Sequence, residues 1–301
     1  EFLPPMELNC VEKELQSSIA KKYSDRVMTV GRVAHITRGV KSDGLRTQCQ
    51  FRNRCDRGCP FGSYFSSNSS TLPAAEKTEN MTLRADSVVT EVVYDEKTQK
   101  ATGVRVVDAI TKEVLNFNSK VIFICASSMA STAIMLNSKS NRFQNGLGND
   151  SGELGHNIMD HQLGSGASGS YEGHEDKYYT GRRPNGFYIP RFRNVGGKSK
   201  DVDFLRGYGY QGGAGRGDWS DAIAEFSYGS EFKNAMLNPG KWNVGMGGFG
   251  EVLPYHENRM YLNYDKIDQW GLPKIVFDAE FKDNEKKMKE DWKVQAAEML
   301  E

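Results

Sequence analysis

Apolar residues at Val11, Leu15, Ile19 and Tyr23 recur at every fourth position through an otherwise polar stretch. That spacing lays one apolar stripe along a helix and predicts one over residues 11–23. Residues 27–37 (VMTVGRVAHIT) alternate and predict a strand. From 41 to 70 the periodicity disappears among Arg, Cys, Gly, Asn and Ser, which predicts a loop too long to be a mere linker. Alternation returns at 81–84, 87–94, 101–108 and 114–118, separated by polar turns, and predicts a β-meander. The run Lys120-Val-Ile-Phe-Ile-Cys-Ala126 is continuously apolar, as a central strand covered on both faces is. It leads through the small residues Ala126-Ser-Ser-Met-Ala-Ser131 into a helical stretch at 132–137. Strand, small-residue turn and helix is how α/β folds bring backbone close to a nucleotide, although the same geometry also occurs without a ligand.

From about 162 to 270 glycine and aromatic residues become dense, and short alternating segments such as Gly186-Phe-Tyr-Ile-Pro-Arg191 recur without a fixed period. A second, sheet-rich domain is expected there. In the last stretch, 281–301, Met288, Trp292, Gln295-Ala296 and Met299 share one helical face behind a possible Asp283-Asn284 cap. The expected organisation is α/β (α+β). Residues 1–161 form one domain with the Cys-rich loop and the meander, residues 162–275 a mainly antiparallel sheet domain, and residues 276–301 a helix leading onward.

Composition narrows the function classes. The chain has 301 residues, 26% of them charged, with Lys+Arg and Asp+Glu both 39. A formal net charge of zero argues against a nucleic-acid binder, though it leaves room for a local basic patch. No apolar run is long enough to cross a bilayer, so no transmembrane segment is expected, and a soluble protein, cytoplasmic or periplasmic, is the reading. No signal-peptide pattern opens the chain, which starts at Glu1 and reads like the interior of something longer. The five cysteines are an odd number and suggest no secreted disulfide scaffold. Cys49, Cys55 and Cys59 are separated by five and three residues, not by the paired C-x-x-C of zinc sites, so packed thiols rather than a metal are expected.

Four stretches, in order, resemble the glucose-methanol-choline (GMC) oxidoreductases. They are the Gly-Cys-rich turn and serine-rich segment Cys55–Ala75, the meander Asn80–Asp108, the small-residue turn and helix Cys125–Ser138, and Ser151-Gly-Glu-Leu-Gly-His-Asn-Ile-Met-Asp-His161, close to the family's G-x-N-x-x-D-H. Gly250–Met260 and Asp268–Pro273 look like the entry to the family's C-terminal region. Thr132, Lys139 and Ser127 stand where the family usually has Pro, Gly and Gly.

The resemblance implies FAD as cofactor, part of a Rossmann-like FAD-binding domain, and oxidation of an alcohol or sugar by hydride transfer to flavin N5. It implies that Val89 pairs its backbone with the adenine and that Ala126 and Ser127 approach the cofactor. Asp160 and His161 are expected to be architectural, linking the cofactor and substrate domains. The family's opening G-x-G-x-x-G is not found, and its catalytic His is expected beyond Glu301. The chain alone is therefore expected to be inactive, with a complementing chain or segment supplying those parts; the electron acceptor is left open. Aromatic residues of the second domain could stack on a sugar, or could simply be core. Two rivals stand beside the enzyme: a non-catalytic remnant binding a carbohydrate or a partner, and a metal-dependent redox protein using the Cys loop, which metal analysis would test.

Overall fold

A computed structural model describes residues 3–39, 46–52, 55–177, 186–196, 202–216, 228–237 and 240–301. The parts of the expected loop at 40–45 and 53–54, and of the expected sheet region at 178–185, 197–201, 217–227 and 238–239, lie outside the described residues. In chain order the first elements are α1 (Cys10–Lys22), β1 (Thr29–Val30), α2 (Thr71–Glu76), β2 (Ser87–Asp95), β3 (Lys100–Asp108), β4 (Val114–Asn118) and α3 (Ser127–Asn137). There follow β5 (His161–Gln162), β6 (Gly166–Tyr171), β7 (Phe187–Ile189), β8 (Tyr208–Arg216), α4 (Gly229–Leu237), β9 (Trp242–Glu251), β10 (Arg259–Ile267), β11 (Pro273–Asp278) and α5 (Asp283–Leu300). They gather into two compact units, each assembled from separate stretches: residues 1–81, 161–251 and 282–301 in one, 82–160 and 252–281 in the other.

The first unit is built on a sheet of order β1-β7-β8-β9-β5, with β6 also pairing β9. Strand β9 alternates strictly: Trp242, Val244, Met246, Gly248 and Gly250 are buried, and the residues between them are not. Helix α5 covers that buried face with Met288, Trp292, Ala296 and Met299, the stripe expected from the sequence. Its first turn is closed by Glu285, whose carboxylate accepts the Lys282 N–H at 3.0 Å, instead of by Asp283 or Asn284. The Trp292 indole is fully buried, meets the Tyr208 ring edge-on at 5.9 Å and donates its N–H to Ser165 Oγ. The strand accommodates it by omitting side chains: a Cβ at Gly250 would lie 2.5 Å from the indole Cζ3, and one at Gly248 2.7 Å from its Cδ2.

Phe187, Tyr208, Tyr210 and Trp242 are equally buried in this core. These four rings are interior packing, with glycine making room beside them, while Tyr171, Tyr188 and Phe249 of the same region are only half-buried. Beneath the same face Arg193 forks onto Asp291 through two bonds of 2.9 Å, and the Tyr208 hydroxyl donates to the same carboxylate. Burial, then the hydrogen bond to Asp291 and its charge, push the Tyr208 phenol well above its ordinary value.

Helix α1 joins this core through Val11 and Ile19 and opens with a reciprocal cap, in which the Asn9 and Glu12 side chains each accept the other residue's N–H at 3.0 Å. The strand expected over 27–37 shrinks to the two residues of β1, because β7 offers a partner only to Thr29 and Val30. Farther on, His35 makes a lone bridge to Tyr64.

The second unit contains the antiparallel meander β2-β3-β4, much as the sequence predicts, and the hairpin β10-β11. Residues 81–84 form no strand. Helix α3 is fastened to β2 at its C-terminal end, where Ser138 Oγ accepts the buried Val92 N–H at 2.8 Å and Asn137 donates to the Thr90 carbonyl at 3.0 Å.

At the β3–β4 turn, the Thr111 N–H, the Arg84 guanidinium and the Ile110 N–H hold the Asp108 carboxyl at about 2, below its ordinary 3.8. A folded-state value below the unfolded one means that the unfolded chain binds more protons between the two. The stabilisation is complete above about 3.8 and is lost as the pH falls toward about 2. Urea midpoints should therefore fall across this window, and Asp108→Asn should flatten that part of the profile.

One expectation is corrected here. Residues 121–126 form no strand: among the described residues nothing pairs with them, and Val121 and Phe123 are 64% and 83% exposed. Continuous apolarity signals a segment suited to burial, but a strand also needs a backbone neighbour. Every pairing between the named strands is antiparallel.

Candidate functional site

Strand β2 breaks register between Val89 and Glu91, leaving Thr90 as an extra residue opposite β3. Such a bulge bends a strand and redirects its side chains, and bulges are frequent beside binding sites. Val89, at this bulge, lines a cleft of about 410 Å³ together with Val92, Val104, Phe117 and the extended segment 121–126. Ala126 is in the same lining. Two of the three residues singled out in the sequence for a cofactor thus share one cleft, and the third, Ser127, follows directly in the chain.

Ser127 has φ +64°, in the left-handed region that favours glycine, and it occupies the position where the resembled family carries glycine. Helix α3 starts there with no side-chain cap on its first N–H groups. Free N–H groups and the positive end of the helix dipole favour an anionic group. Ser127→Gly should stabilise the protein by up to about 1 kcal/mol, read as a raised melting temperature. A clear loss of stability would show that the hydroxyl is needed for the turn.

The G-x-N-x-x-D-H stretch is shaped by backbone demands. Gly155 has φ +92°, and a Cβ there would lie 2.5 Å from the Met260 carbonyl. Asn157 is also left-handed, and its amide donates to Glu153. His156 and His256 stack 4.1 Å apart, with His156 Nδ1 2.7 Å from the His256 carbonyl oxygen. Asp160 borders a cavity of about 660 Å³ with Met129, Thr132, Met159, Phe277 and Phe281. The boundary between the compact units falls between Asp160 and His161. His161 opens β5 with its ring edge-on to Phe249 at 6.4 Å.

The face of β9 away from α5 carries Asn243, Gly245, Gly247, Phe249 and Glu251. Gly245 and Gly247 on β9 and Gly166 on β6 alternate with the exposed polar residues Ser168, Ser170 and Asn243, and Gln211 of β8 pairs beside Gly247. A cleft of about 550 Å³ lies over it, between residues 163–168 and 245–249.

The Cys loop is a small knot. His35, Cys49, Cys55 and Cys59 border one cavity of about 30 Å³, and Cys55 Sγ lies 3.6 Å from His35 Nε2. Burial pushes the Cys59 thiol up. The N–H groups of Tyr64, Phe61 and Ser63, with the Arg52 charge, more than offset this, so it titrates below its ordinary value. Among the described residues no three His, Cys, Asp or Glu side chains are grouped closely enough to hold a metal ion.

The bulge at Thr90 and the Ser138 tie were missed in the sequence reading. A signal for the first was present: the doublets Val88-Val89 and Val92-Val93 interrupt strict alternation, and both register breaks of β2 fall beside them.

Residues 10–163 match the family model described as GMC oxidoreductase. The chain is 25% identical over 238 residues to the fructose dehydrogenase large subunit of Gluconobacter japonicus, an alignment that covers 78% of this chain and 42% of that protein. The chain thus spans about two fifths of that relative's length. With the family model covering half of its residues, and with the motifs at 55–75, 80–108, 125–138 and 151–161 in order, the chain belongs to the GMC oxidoreductase family.

Proposed function

We propose that this chain serves FAD-dependent oxidation of an alcohol group, carried by a sugar or glycoside. The observation that carries the reading is the meeting of the Val89 bulge and the Ala126–Ser127 turn at one cleft. The residues fit the group: Val89 lines the cleft beside the bend that the Thr90 bulge puts in β2, a place for the edge of an adenine, and the uncapped start of α3 at Ser127 suits a nearby phosphate. The chemistry that bound FAD supplies is acceptance of a hydride from the alcohol carbon at flavin N5.

On the substrate side, the outer face of β9 with Gln211, Asn243, Ser168 and Ser170 offers amides and hydroxyls to the hydroxyl groups of a sugar, while Gly245 and Gly247 let a ring come close to the strand beside Phe249. The name of the relative, a fructose dehydrogenase, supports a sugar. That relative is also a large subunit, which supports a partner chain here. Asp160 and His161 fit a connecting role, since the units divide between them.

A visible absorption spectrum of the full-length protein tests the reading directly. Flavin bands that bleach on adding a sugar are the expected result. Protein that carries no flavin, and takes none up, would rule it out. Sugar binding by such flavin-free protein, measured by calorimetry, would instead support the non-catalytic carbohydrate-binding alternative.

A further inference from the structure

Charge is unevenly distributed along this neutral chain. Between residues 31 and 65 stand Arg32, Arg38, Lys41, Arg46, Arg52, Arg54 and Arg57, against only Asp43 and Asp56. The rest of the chain carries the compensating acidic excess. The described part of the segment is an ordered knot and not a loose arm. The Ile36 N–H bonds to the Ser63 carbonyl at 3.0 Å, Cys49 N–H to Ile36 at 2.9 Å, Thr47 N–H to Phe61 at 2.9 Å and Phe65 N–H to Ala34 at 2.8 Å.

These bonds set three backbone segments side by side and hold their basic residues on a fixed frame. Arg52 lies over the Phe61 ring at 5.7 Å, and Arg46 over the Phe65 ring at 5.5 Å. Arg38, Arg52 and Arg57 are exposed, and among the described residues they enter no ion pair. Phe51, Phe61 and Phe65 of the same segment are 47%, 38% and 43% exposed, and Phe51, Arg52 and Phe61 border one small cavity. Exposed arginine interleaved with exposed aromatic rings is the composition of the energetic centre of protein interfaces.

We propose that this knot, centred on Arg38, Arg52, Arg57, Phe51 and Phe61, is a docking surface for an acidic protein. Charge complementarity selects the partner's sign and speeds encounter, while the rings supply the apolar contact that a salt-screened charge pair lacks. A nucleic acid is the poorer match, because the acidic excess of the remaining chain opposes a long polyanion, whereas a protein surface presents a patch of comparable size. The inference does not depend on the flavin reading.

The test uses the whole chain, with fluorescence anisotropy of a labelled poly-glutamate peptide and a labelled single-stranded oligonucleotide at low salt. The triple variant Arg38→Glu, Arg52→Glu, Arg57→Glu should weaken peptide binding at least about tenfold. The neutral set Arg38→Gln, Arg52→Gln, Arg57→Gln should give a smaller loss with unchanged thermal unfolding. The same charge change made elsewhere, at the exposed Lys97, Lys100 and Lys120, should leave peptide binding within about twofold. Equal loss from both triple reversals would overturn the proposal. So would an oligonucleotide that binds more tightly through the same arginines. Dimerisation of the chain alone, seen in sedimentation and abolished by the arginine reversal, would assign the surface to a second copy instead.

Discussion

Trp292→Ala is expected to destabilise the first unit by about 3–5 kcal/mol, the range for truncating a fully buried large aromatic side chain. The indole is fully buried, it stands edge-on to Tyr208, and its N–H is satisfied by Ser165. Truncation leaves a void against β9 that the sheet is poorly able to close, because the strand there is already glycine at 248 and 250. The Ser165 hydroxyl loses its donor as well. A fall in the urea midpoint at constant slope would report the loss as one of stability. A change below about 1 kcal/mol would mean that α5 is not the principal cover of the sheet.

Gly250→Val should be nearly as damaging for the opposite reason. The new Cβ would sit 2.5 Å from the indole Cζ3 and 2.9 Å from Met288 Sδ, and the two methyl groups beyond it have nowhere to go. Overpacking of this kind costs about 1–3 kcal/mol, and the upper end is expected because both obstructing groups are themselves fully buried. The two predictions are linked by geometry, which makes them separable from general fragility. In the Trp292→Ala background the valine should cost much less, giving a coupling of about 0.5–3 kcal/mol in a double-mutant cycle. Strict additivity would show that the strand and the indole do not compete for the same space.

Local pattern and tertiary context divide the account of how legible this molecule was. The four-residue spacing of Val11, Leu15 and Ile19 placed α1, and Met288, Trp292 and Met299 placed the buried stripe of α5, because a helix face is written in nearby positions. The meander was legible for the same reason, its alternating segments lying next to one another in the chain. At 121–126 pattern failed: an apolar run records how much burial a segment can use, and the neighbour that makes it a strand is recorded elsewhere. In 207–250 the same letters, Gly beside Tyr and Trp, fit either a sugar platform or a core. Only the register of β8 on β9 and the arrival of α5 from far along the chain decide for the core.

Of the candidate site, Val89, Ala126 and Ser127 were reached through the resemblance, and the structure adds local geometry: a bulge, a shared cleft and a left-handed turn. The Ser138 bond to Val92 joins positions 46 residues apart, and no short-range pattern announces it.

The interleaving of the two units sets an order of events during synthesis. Strands β8 and β9 leave the ribosome before the residues of the second unit between 252 and 281, and α5 follows only after those. Until it does, the sheet has its glycine slot open and Tyr208, Tyr210 and Trp242 uncovered. Nascent chains in that interval carry a long, exposed, antiparallel surface, the kind that recruits chaperones or aggregates. The cover of α1 and of the sheet thus waits on residues made well after them, and the yield of folded protein should be sensitive to how quickly translation passes 282–300.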